Sequence, residues 1–146
     1  MATTFHGAPL FGGHPVHPGF VPTLEAVLKG LTHAERKQIK DSVSQGWACS
    51  SAWSANTHAD GFAVDFRTAE WSEALIRKVV RLFRRHGCQA VLRLPGERLS
   101  RSSPPVSVEH IHAIHNGHGN AKMLSIVTAP GGYRHIEREL AKRRTT

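Results

Sequence analysis

Phe62, Val64 and Phe66 alternate with Gly61, Ala63 and Asp65, a period of two that predicts a strand over 61–66. One face of that strand is large and apolar and belongs in a core. The other is built of small residues and ends in a carboxylate, which leaves room for something to rest against the sheet. From Trp71 to His86 the period becomes helical: Trp71, Leu75, Val79, Leu82 and Phe83 form one stripe, basic residues fill the opposite side, and Gly87 is a suitable stop. Cys88 to Leu94 reads as a strand, and so does Val106 to Ile114. On the latter, Val108, His110, His112 and Ile114 share one face, while Glu109 and Ile111 point the other way if the strand is regular.

Weaker signals complete the chain. Thr23 to Lys29 reads as a short helix. A second helix starts at Thr32, where Thr32 and Glu35 have capping-box spacing, and is expected to end near Gln45-Gly46. Trp47 to Asn56 suits a loop or a short strand, Pro95 to Pro105 a polar loop, and Asn116 to Asn120 a turn. A last helix is expected from Tyr133 to about Lys142, with Ile136 and Leu140 facing inward. Residues 5–22 are rich in Gly, Pro and His without a period, so 1–22 is expected to be an irregular N-terminal arm. With no internal repeat and no composition shift, residues 1–146 read as one α+β domain, a small antiparallel sheet flanked by helices.

Composition narrows the class. A 146-residue chain with 40% hydrophobic and 21% charged residues is ordinary for one globular domain with a single core. No apolar run reaches the length of a membrane span, so no membrane insertion is expected. The N-terminus lacks the basic and apolar regions of a secretory signal, which points to synthesis in a cytoplasm. Cys49 and Cys88 are too few and too far apart for a disulfide framework or a zinc knuckle, and read as two partly buried thiols. The net charge of +8 favours polyanionic surroundings. It is concentrated in Arg77, Lys78, Arg81, Arg84 and Arg85 and in the tail from Arg134 to Arg144, both expected to be solvated helix faces. No helix-turn-helix, zinc-finger or RNP pattern accompanies it, so no specific nucleic-acid partner is expected.

The chemistry lies in His58-Ala59-Asp60-Gly61-Phe62-Ala63-Val64-Asp65 and in Glu109-His110-Ile111-His112. Together they offer two imidazoles and a carboxylate for a metal, with a spare acid and a spare imidazole beside them. That is the inventory of a catalytic zinc site with an open position for water. Among 11 histidines a pair at i, i+2 is unremarkable by chance; what distinguishes this one is its conjunction with a His and an Asp flanking a strand whose outer face is small. Two histidines at that spacing can face one centre, one ligating and the other managing a proton. Glu109 can join them only where the strand bulges, twists or ends. A facial triad for non-haem iron is the competing metal chemistry, but it usually carries its His and carboxylate nearly adjacent on one strand.

His58, Gly61, Ala63 and Asp65 reproduce the H-x-x-G-x-A-x-D pattern of the D-Ala-D-Ala metallopeptidases. The Glu109-His110-Ile111-His112 segment resembles their second motif, and also the H-x-H of the wider group that includes lysostaphin-type enzymes and the hedgehog signalling domain. The resemblance spans roughly residues 45–115, about half the chain, and is nearest to short phage-encoded peptidoglycan peptidases. It implies Zn2+ as cofactor, with His58, Asp65 and His112 as its ligands. The general base is Glu109 by the D-Ala-D-Ala pattern and His110 by the lysostaphin pattern; both remain open. The implied function is hydrolysis of a peptide bond in bacterial peptidoglycan by a monomer, acting on the wall after release or as a virion component. The alternative is a non-catalytic zinc-containing module that binds a cell wall or virion. Two positions depart from the family: Asn56 stands where Ser is common, and no upstream Arg for the oxyanion is identifiable, leaving Arg36, Arg67 and Arg93 as candidates. His115 and His118 are substitutes for His112 as ligand, though their turn context favours exposure.

Overall fold

Four strands pair antiparallel around the alternating segment that precedes Arg67. The computed structural model describes residues 7–47, 60–98, 101–102, 104–116 and 136–145. In chain order the elements are β1 (Leu10–Phe11), β2 (His14–Pro15), α1 (Val21–Lys29), α2 (His33–Asp41), β3 (Val43–Gln45), β4 (Ala63–Arg67), α3 (Glu73–Arg85), β5 (Cys88–Arg93), β6 (His110–His115) and α4 (Ile136–Arg143). The main sheet has the order β3-β4-β6-β5, and β1-β2 form a separate hairpin. This is an α+β architecture, a small antiparallel sheet flanked by helices, as the pattern of elements predicts.

The helix α3 is the main partner of the sheet. Its stripe is buried along its whole length, with Trp71, Leu75, Ile76, Val79, Val80, Leu82 and Phe83 all in the core. Ser72 caps it by accepting a hydrogen bond from the Leu75 amide at 3.1 Å. Phe66 on β4 packs its ring against Trp71 and Phe83, each with centroids 5.8 Å away, and edge-on against Phe11 of the hairpin. Val64, Phe66, Ile111 and Ala113 therefore form the apolar floor against the helices.

Several boundaries move for physical reasons. The capping box at Thr32 forms as expected, with Glu35 N–H donating to Thr32 Oγ1 and Thr32 N–H donating to Glu35 Oε1. The helix it starts ends at Asp41 rather than near Gln45-Gly46, and Val43 to Gln45 form an edge strand. Ile39 and Val43 are four apart and both buried, so their spacing imitates one more helical turn, although Val43 belongs opposite Phe66 in the sheet. The segment expected to be an irregular arm carries the β1–β2 hairpin and a 3-10 turn at Pro18–Phe20, and it buries Phe11, Val16 and Phe20. The expected loop over Trp47 to Asn56 lies outside the described residues apart from Trp47, as do Tyr133 to His135 at the start of the last helix and Gly117 to Asn120 in the expected turn.

The helix α4 lies against α3 through charge as well as through buried Ile136 and Leu140. Arg77 donates to Glu137, Arg81 approaches it at 3.7 Å, and Arg144 donates to Glu73 at 2.6 and 2.7 Å. Hydrogen bonds from Arg77 and Arg144 hold the carboxyls of Glu137 and Glu73 below the ordinary glutamate range. A folded pKa lowered in this way gives stabilisation that is present above the unfolded value and is lost as pH falls through the folded one. Acidification from neutrality to below the glutamate range is therefore expected to release amide protection in α4 ahead of α3, read by hydrogen exchange. Glu73→Gln/Glu137→Gln should flatten that dependence.

Cys88 is a free thiol buried at the start of β5, and burial pushes it up to about 12. Cys49 lies outside the described residues. At about pH 8 iodoacetamide is expected to leave Cys88 unmodified in the native protein and to alkylate it in denaturant, as seen by peptide mass mapping.

Candidate metal centre on the sheet face

β4 and β6 are the two central strands, and their register decides which side chains meet. Ala63 pairs with Ile114, Asp65 with His112 and Arg67 with His110, while Val64 and Phe66 pair with Ala113 and Ile111 on the core side. β5 continues the first row with Gln89 opposite Ile114, Val91 opposite His112 and Arg93 opposite His110. The two motifs, 47 residues apart at Asp65 and His112, thus arrive side by side on the face turned away from α3.

The Asp65 and His112 side chains meet at 2.7 Å, Oδ1 to Nδ1, with 14% and 2% of their respective surfaces exposed. A carboxylate only accepts, so the hydrogen bond places the proton on Nδ1 of the neutral ring. Around them Ala63, Val91 and Ile114 are fully buried and apolar. The low polarity of that floor strengthens any charge interaction made on it. The small face read from β4 is thus the place where the carboxylate and imidazole fit.

Gly61 explains part of the first motif. Its φ is +86°, and an added Cβ would come within 2.7 Å of the Trp47 ring and 2.9 Å of His17. Only glycine accepts that backbone and that contact together. The His17 amide donates to Gly61 O at 2.9 Å and its ring stacks on Phe62 at 4.5 Å, so the N-terminal segment braces the approach to β4.

His58 lies outside the described residues. Among the described residues no group of three His, Cys, Asp or Glu side chains is gathered for a metal ion; Asp65 and His112 supply two of the three expected donors.

Glu109 and His110 part company. His110 shares the face of His112 by alternation, and its Nδ1–H donates to Val108 O at 2.9 Å. Glu109 turns away: Thr68 Oγ1 donates to its Oε2 at 2.6 Å and Arg143 Nε to its Oε1 at 2.8 Å. Arg143 also donates to the carbonyls of Thr68, Ala69 and Trp71. The acid next to His110 is therefore held in a largely buried bridge between the start of β6, the β4–α3 turn and α4.

Of the candidate arginines, Arg36 donates to Leu28 O and Leu31 O and closes the end of α1, away from the sheet. Arg67 and Arg93 flank His110 in register, the first exposed and the second 6% exposed. His115 falls on the opposite face from His112, with Phe20 and Phe62 near its ring; His118 lies outside the described residues. Thr68 and Arg143 were missed as partners of Glu109. A signal for Arg143 existed: it continues the inward stripe Ile136, Leu140, Arg143 at helical spacing.

Compared with known proteins, the chain matches no family model, no curated protein and no solved structure.

Arg143→Ala removes four hydrogen bonds and leaves the Glu109 carboxylate without its cation, held by the Thr68 hydroxyl. We expect a loss of about 2–3 kcal/mol in urea unfolding, against about 1 for Glu109→Gln, which keeps an oxygen for Thr68.

Proposed function

We propose that this chain is a zinc-dependent peptidase that hydrolyses a peptide bond in bacterial peptidoglycan. The observation that carries the reading is the register that sets Asp65 against His112 on a buried sheet face. Two motif halves chosen on sequence alone are brought within 2.7 Å by the fold. With the proton that now joins the pair released on binding, the carboxylate and the imidazole, on a floor of small and apolar residues, would be donors suited to zinc. Asp65 and His112 would hold the ion with His58 as the third ligand. When bound, zinc supplies Lewis acidity for a carbonyl and makes water acidic enough to ionise near neutrality.

The proton work falls to His110 in this reading. Its Nδ1–H is committed to Val108 O, which leaves Nε2 as the acceptor in the neutral ring. It stands two residues from His112 on the same face, about 7 Å along the strand. From there it can take a proton from the attacking water and return it to the leaving amine. Glu109 would have to abandon both Arg143 and Thr68 to do the same. Arg67 and Arg93, bracketing His110, are placed to orient a substrate carbonyl or carboxylate.

Metal analysis combined with digestion of purified peptidoglycan and mass spectrometry of the fragments tests this. We expect about one zinc per chain. Asp65→Asn and His112→Ala should lose both zinc and cleavage. His110→Ala should keep zinc and slow cleavage by about a hundredfold or more, while Glu109→Gln should stay within about threefold of the parent. Protein without zinc, or muropeptides left intact, overturns the proposal; zinc with intact muropeptides points instead to a non-catalytic wall-binding module.

A further inference from the structure

Beside Asp65 the surface opens into a cleft of about 500 Å³ lined by Asp41, Ser42, Val43, Ser44, Arg67, Ala69 and Glu70. That volume is within the range that admits one or two amino-acid residues. Its walls come from three places: the end of α2 with β3, the outer end of β4, and the turn that leads into α3. Ser44 ties it to the candidate centre, its Oγ donating to Asp65 O at 3.5 Å. Arg67 belongs to both places. It lines the cleft, and it is the register partner of His110 two residues along β4 from Asp65.

The charges in the cleft are of both signs and are spent unequally. Asp41 is paired with Lys37 at 2.7 Å. The hydroxyl of Ser42 is used by Gln38 O and by the Trp71 indole N–H. By contrast, the side chains of Arg67 and Glu70 have no ion-pair or hydrogen-bond partner among the described residues. One guanidinium and one carboxylate are thus presented on the same opening. A carboxylate ligand alone would meet the repulsion of Glu70, and an ammonium alone that of Arg67. A group that carries a carboxylate and an ammonium on one carbon satisfies both.

We propose that this cleft is a subsite for the zwitterionic side-chain end of a diamino-acid residue, with Arg67 taking its carboxylate and Glu70 its ammonium. The proposal rests on the peptidoglycan reading for its choice of substrate. On that basis Arg67 and Glu70 are specificity residues: they select a stem peptide whose diamino acid keeps a free side-chain carboxylate over one that offers an ammonium only. The spacing places the selected residue about two residues from the bond beside Asp65 and His112, since a strand advances about 3.3 Å per residue.

The test is binding to the metal-free full chain, followed by NMR or calorimetry, so that it does not depend on hydrolysis. The probes are two tripeptides with amidated α-carboxyl ends, identical except for meso-diaminopimelate or lysine at the third position. The diaminopimelate peptide should bind about tenfold more tightly, with shifts in the amides of Ser44, Arg67, Ala69 and Glu70. Arg67→Ala should abolish the preference, and Glu70→Gln should weaken both peptides alike. Arg67 is exposed at the end of β4, and Arg67→Lys provides a second variant that keeps the charge but not the fork; it should retain only part of the preference. Equal binding of the two peptides, or a preference that survives Arg67→Ala, overturns the subsite. A preference that is present and lost in Arg67→Ala, together with intact muropeptides in the digestion above, upholds the subsite and overturns only the peptidase reading.

Discussion

The pairing of β4 with β6 is the constraint on which the rest of the molecule depends. One register assigns Phe66 and Ile111 to the helices and Asp65 and His112 to the opposite face. Because side chains alternate, a slip of one residue would turn one strand over, driving Asp65 or His112 into the core and exposing Phe66 or Ile111. The burial of Phe66 and Ile111 therefore enforces the encounter of Asp65 with His112. The core does not merely support the candidate site; it selects which residues can compose it.

The two faces then carry different kinds of interaction. On the helix side, α3 buries a full stripe, and dispersion and the hydrophobic effect provide most of the stability. On the other side, small residues from β4 and apolar ones from β5 and β6 make a floor on which a polar pair is tolerated because its members satisfy each other. Glu109 sits where these regions meet, just before β6 begins. Its position turns it off the face of Asp65 and His112, and Arg143 then ties it to α4 and to the carbonyls of the β4–α3 turn. The basic C-terminal helix is in part a structural clasp: Arg77 and Arg144 pair with glutamates at the surface, while Arg84 on Ala90 O and Arg143 on Glu109 are drawn into the fold.

Much of this was legible in the chain. The alternation over 61–66, the stripe of α3 and the capping box at Thr32 each express a single dominant local rule, and each is present in the fold. The elements that were misjudged obey weaker or competing rules. β3 has three residues and a register shift between Val43 and Gln45, so it owes its existence to Phe66 and Asp65 across from it rather than to its own pattern. The β1–β2 hairpin has two residues per strand, too few to show a period, and persists because Phe11 and Val16 are buried. Arg143 was counted with the solvent-facing charges, since charge ordinarily outweighs helical position when its partner is remote in sequence.

The sequence by itself determined that His110 and His112 share one face, because a strand has a fixed period, and that Glu109 points the other way wherever that period holds. It determined also that Asp65 ends a cleared face. Only the tertiary structure decided that Asp65 and His112 lie opposite each other, that Arg67 and Arg93 bracket His110, and that Glu109 is bound by an arginine 34 residues away. Those are relations between segments, set by strand order, register and the docking of the last helix. Such relations follow from which apolar faces can be buried together, and a local pattern carries no record of them.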